Sequence, residues 1–203
     1  MDFLKAYDKW INSGRLTDGE MEQLRELDEE GKKAAFYGNL EFGTAGLRGV
    51  MGVGTAKMNI HVIRHATQAF ADVINRSGEG AKGVAICYDC RIGSREFALA
   101  AAEVMAANGI KSFVFESMRP TPELSYAVRH YGCGAGINVT GNHNPKEYNG
   151  YKVYWSDGAQ LPPDKASEIA GRMEELDVFD GPVVMPVQEA EEKGLISWLG
   201  EET

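Results

Sequence analysis

Residues 140–145 read Thr-Gly-Asn-His-Asn-Pro, which packs a hydroxyl, two carboxamides and an imidazole into a single turn's length of chain. Lys152 follows, set among Tyr151, Val153 and Tyr154. The ring of Pro145 biases the residue before it away from helical backbone, so His143 is expected in an extended loop rather than on an apolar helix face. In a strand at 151–155, alternation sends the Lys152 ammonium to one face and its apolar and aromatic neighbours to the other. A partly desolvated lysine has a lowered pKa and can serve in proton transfer. Yet the first five residues of the loop hold no serine, cysteine or carboxylate that could act as a nucleophile.

A second candidate lies upstream in Phe42–Asn59, where Gly43, Gly46, Gly49, Gly52 and Gly54 surround Arg48. Such glycines permit close approach of the backbone to a ligand, and an arginine among them can grip a phosphate through two donors. They also suit tight turns between a helix and a strand, and both readings stand on sequence alone. The segment is neither a Gly-Lys-Ser/Thr phosphate loop nor a dinucleotide fingerprint. Cys87 and Cys90 form a Cys-x-x-Cys, but the spacing places Cys87 inside a strand and Cys90 in the loop after it, away from the helix N-terminus that would lower a thiol pKa.

These residues need a scaffold, and the chain alternates between two periods. Val62, Ile63, Ala66, Ala69, Phe70, Val73 and Ile74 repeat at helical spacing. Residues 83–88, 111–115, 134–139 and 151–155 read as strands, while 94–107, Pro120 to about Tyr131, and 162–175 read as helices. This alternation predicts an α/β fold: a three-layer α/β/α sandwich on a mostly parallel mixed sheet. The loops at 88–93 and 140–149 both leave strands, so both should rise from the C-terminal edge of the sheet, where such folds bind ligands. Residues 1–40 read as a charged helical extension, with a capping box at Thr17 and Glu20 and a stop at Gly31. Residues 41–203 form the α/β domain, in which 177–203 reads as a tail, a connection to further domains or a terminal hairpin.

The formal net charge of -9 excludes nucleic acid or an anionic membrane as the partner of the whole surface, though not a small anion met by a local cluster of basic groups. An odd number of cysteines, the lack of a leader-like N-terminus and of a membrane-length apolar run lead us to expect a cytoplasmic protein.

Several stretches, "FGTAGLRG", "CYDCRIGSREFA", "RPTPELSYAVR" and "NHNPKEYNGYKVYW" among them, together resemble the first domain of an α-D-phosphohexomutase, closest to the phosphoglucomutase/phosphopentomutase type. The resemblance runs along nearly the whole chain, with its motifs in order. It implies an intramolecular phosphotransferase that moves a phosphoryl group between O1 and O6 of a hexose, or O1 and O5 of a pentose. The route it implies passes through a phosphoserine and a bisphosphate sugar, with Mg2+ held by the phosphoserine and three aspartates. It also implies Thr44, Arg48, Thr140 and Asn144 as phosphate- or substrate-binding residues, and His143, Lys152 and Arg48 as the charge-neutralising and proton-transferring set. Two departures qualify it. Asn142 stands where the family has its phosphoserine, and Gly141 where it has alanine. A carboxamide has no nucleophilic hydroxyl, so Asn142 cannot carry the phosphoryl group, and only its position survives as a metal contact. The aspartate-rich metal loop of the family's second domain has no counterpart in these 203 residues. Three readings fit: a mutase domain inactive alone, a non-catalytic phosphosugar-binding or interaction module, and an engineered isolated domain.

Overall fold

The computed structural model describes residues 2–200. Three helices, α1 (Phe3–Ile11), α2 (Asp18–Glu26) and α3 (Glu29–Phe36), precede a six-stranded mixed sheet. The remaining elements are β1 (Leu47–Val50), α4 (Ile60–Arg76), β2 (Val84–Tyr88), α5 (Ser94–Ala107), β3 (Ser112–Phe115), α6 (Thr121–His130), β4 (Ala135–Val139), β5 (Tyr148–Trp155), α7 (Pro163–Glu175), α8 (Val187–Glu192) and β6 (Ile196–Leu199). The strand order is β1-β5-β4-β2-β3-β6. Strands β4, β2, β3 and β6 run parallel, and β5 runs antiparallel to both β4 and β1. The α/β sandwich that the alternating pattern predicts is therefore the observed fold.

The two faces are covered unequally. Helices α4, α5, α7 and α8 bury one face under a core that includes Ile63, Phe70, Ile86, Met105, Ile137, Tyr151, Val153 and Ile169. Helix α6 alone lies on the other face, over Ala85, Cys87, Phe115 and Tyr154. It packs through Leu124 and Val128 against Gly136, where a Cβ would stand 2.7 Å from Val128 Cγ2.

Local differences from the sequence expectations have local causes. The helix that should stop at Gly31 ends at Glu26 instead, and Asp28 caps a new helix by accepting from Gly31 N–H at 2.7 Å. Gly31 thus lies inside α3. The extension is also more than a solvated charged face. Trp10, Leu24 and Phe36 form a small core of their own that closes on Val53 and Phe179. Residues 177–199 are no free tail or hairpin: after α8, β6 adds a parallel edge strand beside β3, burying Ala190, Ile196 and Leu199. A strand in this position needs the crossover helix that a hairpin lacks. The last residues of the chain, 201–203, lie outside the described region.

Candidate active site

Register decides which side chains meet. Arg48 pairs with Gly150, Lys152 with Asn138, and Tyr154 with Gly136. Because opposed residues share a face and alternate residues return to it, Arg48, Lys152, Asn138 and Tyr154 all point to the α6 side, away from the main core. Tyr154 therefore shares the Lys152 face, whereas Tyr151 and Val153 turn inward as alternation requires. Beyond the reach of α6, three adjacent strands expose a strip with Arg48 and Lys152 on its floor and Thr140 at the end of β4.

The strip is cationic and uncompensated. Lys152 is 8% exposed, yet neither it nor Arg48 meets a carboxylate among the described residues. Burial, reinforced by the positive charge of Arg48, pulls the Lys152 ammonium below the ordinary lysine range. A half-desolvated lysine beside an arginine is an arrangement that an arriving anion stabilises.

The glycine segment resolves into a turn and a strand. Gly43 and Gly46 exchange both backbone hydrogen bonds around Thr44 and Ala45, so their N–H groups are spent within the turn. Gly46 has φ 77° and passes so close to β5 that a Cβ would lie 1.9 Å from the Tyr151 carbonyl oxygen. The turn accounts for Gly43 and Gly46, which leaves Arg48 on β1 and Thr44 at the turn's tip as the segment's candidate groups.

The 140–147 loop is a tight turn, not the extended segment that Pro145 suggests. Asn144 N–H donates to Gly141 O at 3.1 Å, which places His143 inside the turn with its imidazole exposed. Asn142 has φ 51°, the one positive value outside glycine among the described residues. Asparagine tolerates this conformation better than most residues. Thr140 helps to hold it there, since its hydroxyl accepts from Asn142 N–H at 3.1 Å and donates to Asn142 Oδ1 at 3.2 Å.

Much of what positions the loop comes from the segment after β2. One Asp89 oxygen accepts from Gly141 N–H at 3.2 Å, and the other from Arg91 N–H at 2.9 Å and Ser94 Oγ–H at 2.7 Å. The Arg91 guanidinium donates to the carbonyls of Asn142, Asn144, Pro145 and Tyr148 at 2.7, 2.5, 2.6 and 3.1 Å. The same side chain packs against Gly141, where a Cβ would come within 2.3 Å of Arg91 Nε. Asn149, fully buried, ties the far end of the loop to the same segment through Ile92 O and Ser94 Oγ. Asp89, Arg91, Ser94 and Asn149 are positioning residues that motif reading passes over. The available signal was a cluster of short polar residues directly after a buried strand, on the same sheet edge as the Asn-His turn.

Residues 39–178 match the sequence model of the phosphoglucomutase/phosphomannomutase α/β/α domain I. The chain belongs to that family. A phosphoglucomutase of Staphylococcus saprophyticus is 41% identical over 142 residues, covering 70% of this chain and 26% of that protein. A human phosphopentomutase is 37% identical over 77% of this chain and 27% of its own length. Among solved structures, a phosphomannomutase-type protein from Thermus thermophilus superposes with a TM-score of 0.63 at 28% identity, covering 77% of this chain and 35% of that one. The chain thus spans about a quarter of the length of the curated relatives it matches.

Two other sequence features take structural roles. Cys87 is fully buried on β2, where desolvation pushes its thiol pKa far upward, while Cys90 is exposed in the following loop. That is not a redox pair. The residues present do not fit the Mg2+ that the family implies. No cluster of three His, Cys, Asp or Glu side chains that could hold a metal occurs among the described residues. At position 142 the loop offers a neutral carboxamide oxygen that already accepts from Thr140.

Proposed function

We propose that this domain binds the phosphate of a hexose or pentose phosphate, or of its bisphosphate, on the Arg48–Lys152 strip under the 140–147 turn. The reading places it in intramolecular phosphoryl transfer as one wall of a mutase active site. The observation that carries it is Lys152, a buried residue whose partly desolvated ammonium lies beside Arg48 with no carboxylate paired to either group among the described residues. Phosphoryl transfer demands mainly positioning and cancellation of charge on the phosphoryl oxygens. Arg48 offers a planar fork for two of those oxygens, and Lys152 a compact charge whose lowered pKa lets it take or give a proton. His143, exposed at the turn, is placed to exchange a proton with solvent or a sugar hydroxyl. Thr140, Asn144 and Thr44 shape the approach.

Asn142 sets the limit of this chemistry. Its nitrogen lone pair is delocalised into the carbonyl, so the chain holds a phosphosugar without accepting a phosphoryl group and is inactive alone. Binding without turnover is the function that these residues support. Two measurements test it. An NMR titration with glucose 1-phosphate should shift the amides of Arg48, His143 and Lys152, and no shift at millimolar ligand would refute the site. Incubation with glucose 1,6-bisphosphate should leave the intact mass unchanged, while Asn142→Ser should gain one phosphoryl group. Phosphorylation of the unaltered chain would overturn the reading of Asn142.

A further inference from the structure

We propose that Asn142 is a site of spontaneous deamidation, because the turn leaves the His143 N–H free to attack a carboxamide that Thr140 polarises. Sequence alone points elsewhere. Asn-Gly pairs are the reactive ones in flexible chains, and this chain has two, Asn108-Gly109 and Asn149-Gly150. Both are locked. Gly109 N–H donates to Ala106 O at 3.0 Å, and the Asn108 carboxamide bonds to Gln68 and to Val104 O. Asn149 is fully buried, its carboxamide nitrogen donates to Ile92 O and Ser94 Oγ, and Gly150 N–H donates to Asn149 Oδ1 at 2.8 Å inside the paired strand β5, so neither group is free to rotate into a ring. Asn12-Ser13 is held too, since Ser13 N–H donates to Trp10 O and the Asn12 amide to Asp8 O. Asn144 precedes proline, which has no N–H to supply.

Asn142 differs on each count. Its side chain is exposed, and the His143 N–H donates to no acceptor among the described residues. Arg91 Nη2 donates to the Asn142 carbonyl at 2.7 Å, drawing electron density out of the same peptide group and making its N–H more acidic. Thr140 Oγ–H donates to Oδ1 at 3.2 Å, where negative charge develops as the amide nitrogen adds to Cγ.

The step balances with water alone. The His143 nitrogen forms a bond to Asn142 Cγ, its proton passes through water to the departing amino group, and ammonia leaves. The resulting succinimide is opened by one water molecule at either carbonyl, giving aspartate or isoaspartate at position 142. The product places a carboxylate on the turn that borders the Arg48–Lys152 strip. Its effect on phosphosugar binding rests on the proposed function, whereas the conversion itself does not.

The experiment is timed incubation of the whole chain at mildly alkaline pH, followed by tryptic peptide mass spectrometry with enzymatic isoaspartate labelling. A parallel sample is kept unfolded in urea. In the folded protein the peptide His130–Lys146 should convert first, with fragment ions placing the change at Asn142. In urea the two Asn-Gly sites should overtake it. Thr140→Val should slow conversion at Asn142 several-fold in the folded protein and leave it unchanged in urea, while Thr140→Ser should retain the original rate. Conversion at Asn108 or Asn149 ahead of Asn142 in the folded protein would overturn the proposal, as would an unchanged Asn142. Equal rates in Thr140→Val and the parent would remove the part assigned to the hydroxyl. Mass and isoaspartate report the conversion, and the phosphosugar titration reports binding, so either can fail without the other.

Discussion

The Arg91 clamp and the missing side chain at Gly141 are two halves of one contact, and a double-mutant cycle should show it. Gly141 has no positive φ to protect, so alanine there would ordinarily be neutral or slightly stabilising. Its Cβ, however, would stand 2.3 to 2.5 Å from Arg91 Nε, Cδ and Cζ. Arginine is flexible and will give way, but only by withdrawing its guanidinium from the carbonyls of Asn142, Asn144, Pro145 and Tyr148. Net gains of about 0.5–1.5 kcal/mol for each of the four bonds put the loss at about 2–6 kcal/mol when all are broken. Arg91→Ala should cost about that much, and Gly141→Ala about 2–3 kcal/mol in the parent but close to nothing in the Arg91→Ala background. The coupling is therefore about 2 kcal/mol or more, well above the ~0.5 kcal/mol within which independent sites add. Urea melts of the four proteins give the global energies, and hydrogen exchange at Asn144 and Tyr148 amides reports the loop. Additive effects, or exchange at those amides unchanged in Arg91→Ala, would refute the clamp.

Lys152 should lower stability in the free protein. Its folded pKa lies below the unfolded one, so between the two the unfolded chain binds more protons and stability rises with pH. Lys152→Met should raise the urea midpoint at neutral pH and flatten that alkaline rise, and inorganic phosphate should narrow the gap between the two proteins. His61 and His65, both lowered chiefly by burial, act in the acid range: stability should fall as pH drops from the ordinary histidine value through their folded pKa. Trp10 packs edge-on against His61 with ring centroids 5.5 Å apart, so its fluorescence in a Trp155→Phe, Trp198→Phe background should report this loosening, and a flat acid titration would count against it. Leu199→Ala, in β6, should cost about 2–4 kcal/mol in a urea melt; a change below about 0.5 kcal/mol would mean that the strand does not hold the sheet edge.

Elements whose own residues carry the period were legible in the amino-acid pattern. Helix α5 appears at its predicted bounds, and β2, β3 and β4 within a residue of theirs, because each buries mostly apolar residues of its own. The strands that escaped are those whose reason lies elsewhere. Leu47–Val50 offers a short pattern inside a glycine-rich stretch and becomes β1 because β5 pairs with it. Ile196–Leu199 follows an acidic helix and becomes β6 because β3 has a free edge. The same division runs through the site. Arg48, Lys152 and the Thr140–Asn144 turn announce themselves by residue type. Arg91 does not, since its acceptors are backbone carbonyls, which every residue carries alike.

Arg48 and Lys152 stand on strands and Asn142 on a turn, and in the proposed function the distinction separates recognition from reactivity. Strand β5 is hydrogen-bonded on both sides, to β4 and to β1, which fixes the spacing of the two cations as firmly as anything in the sheet. The turn is fastened mainly to the segment after β2, through Arg91 and Asp89. Residues at 141 and 142 can therefore change, rearrange or age chemically while the charged floor beneath them keeps its shape. On the function proposed above, a fold divided this way loses its phosphoryl carrier and goes on selecting the same anions.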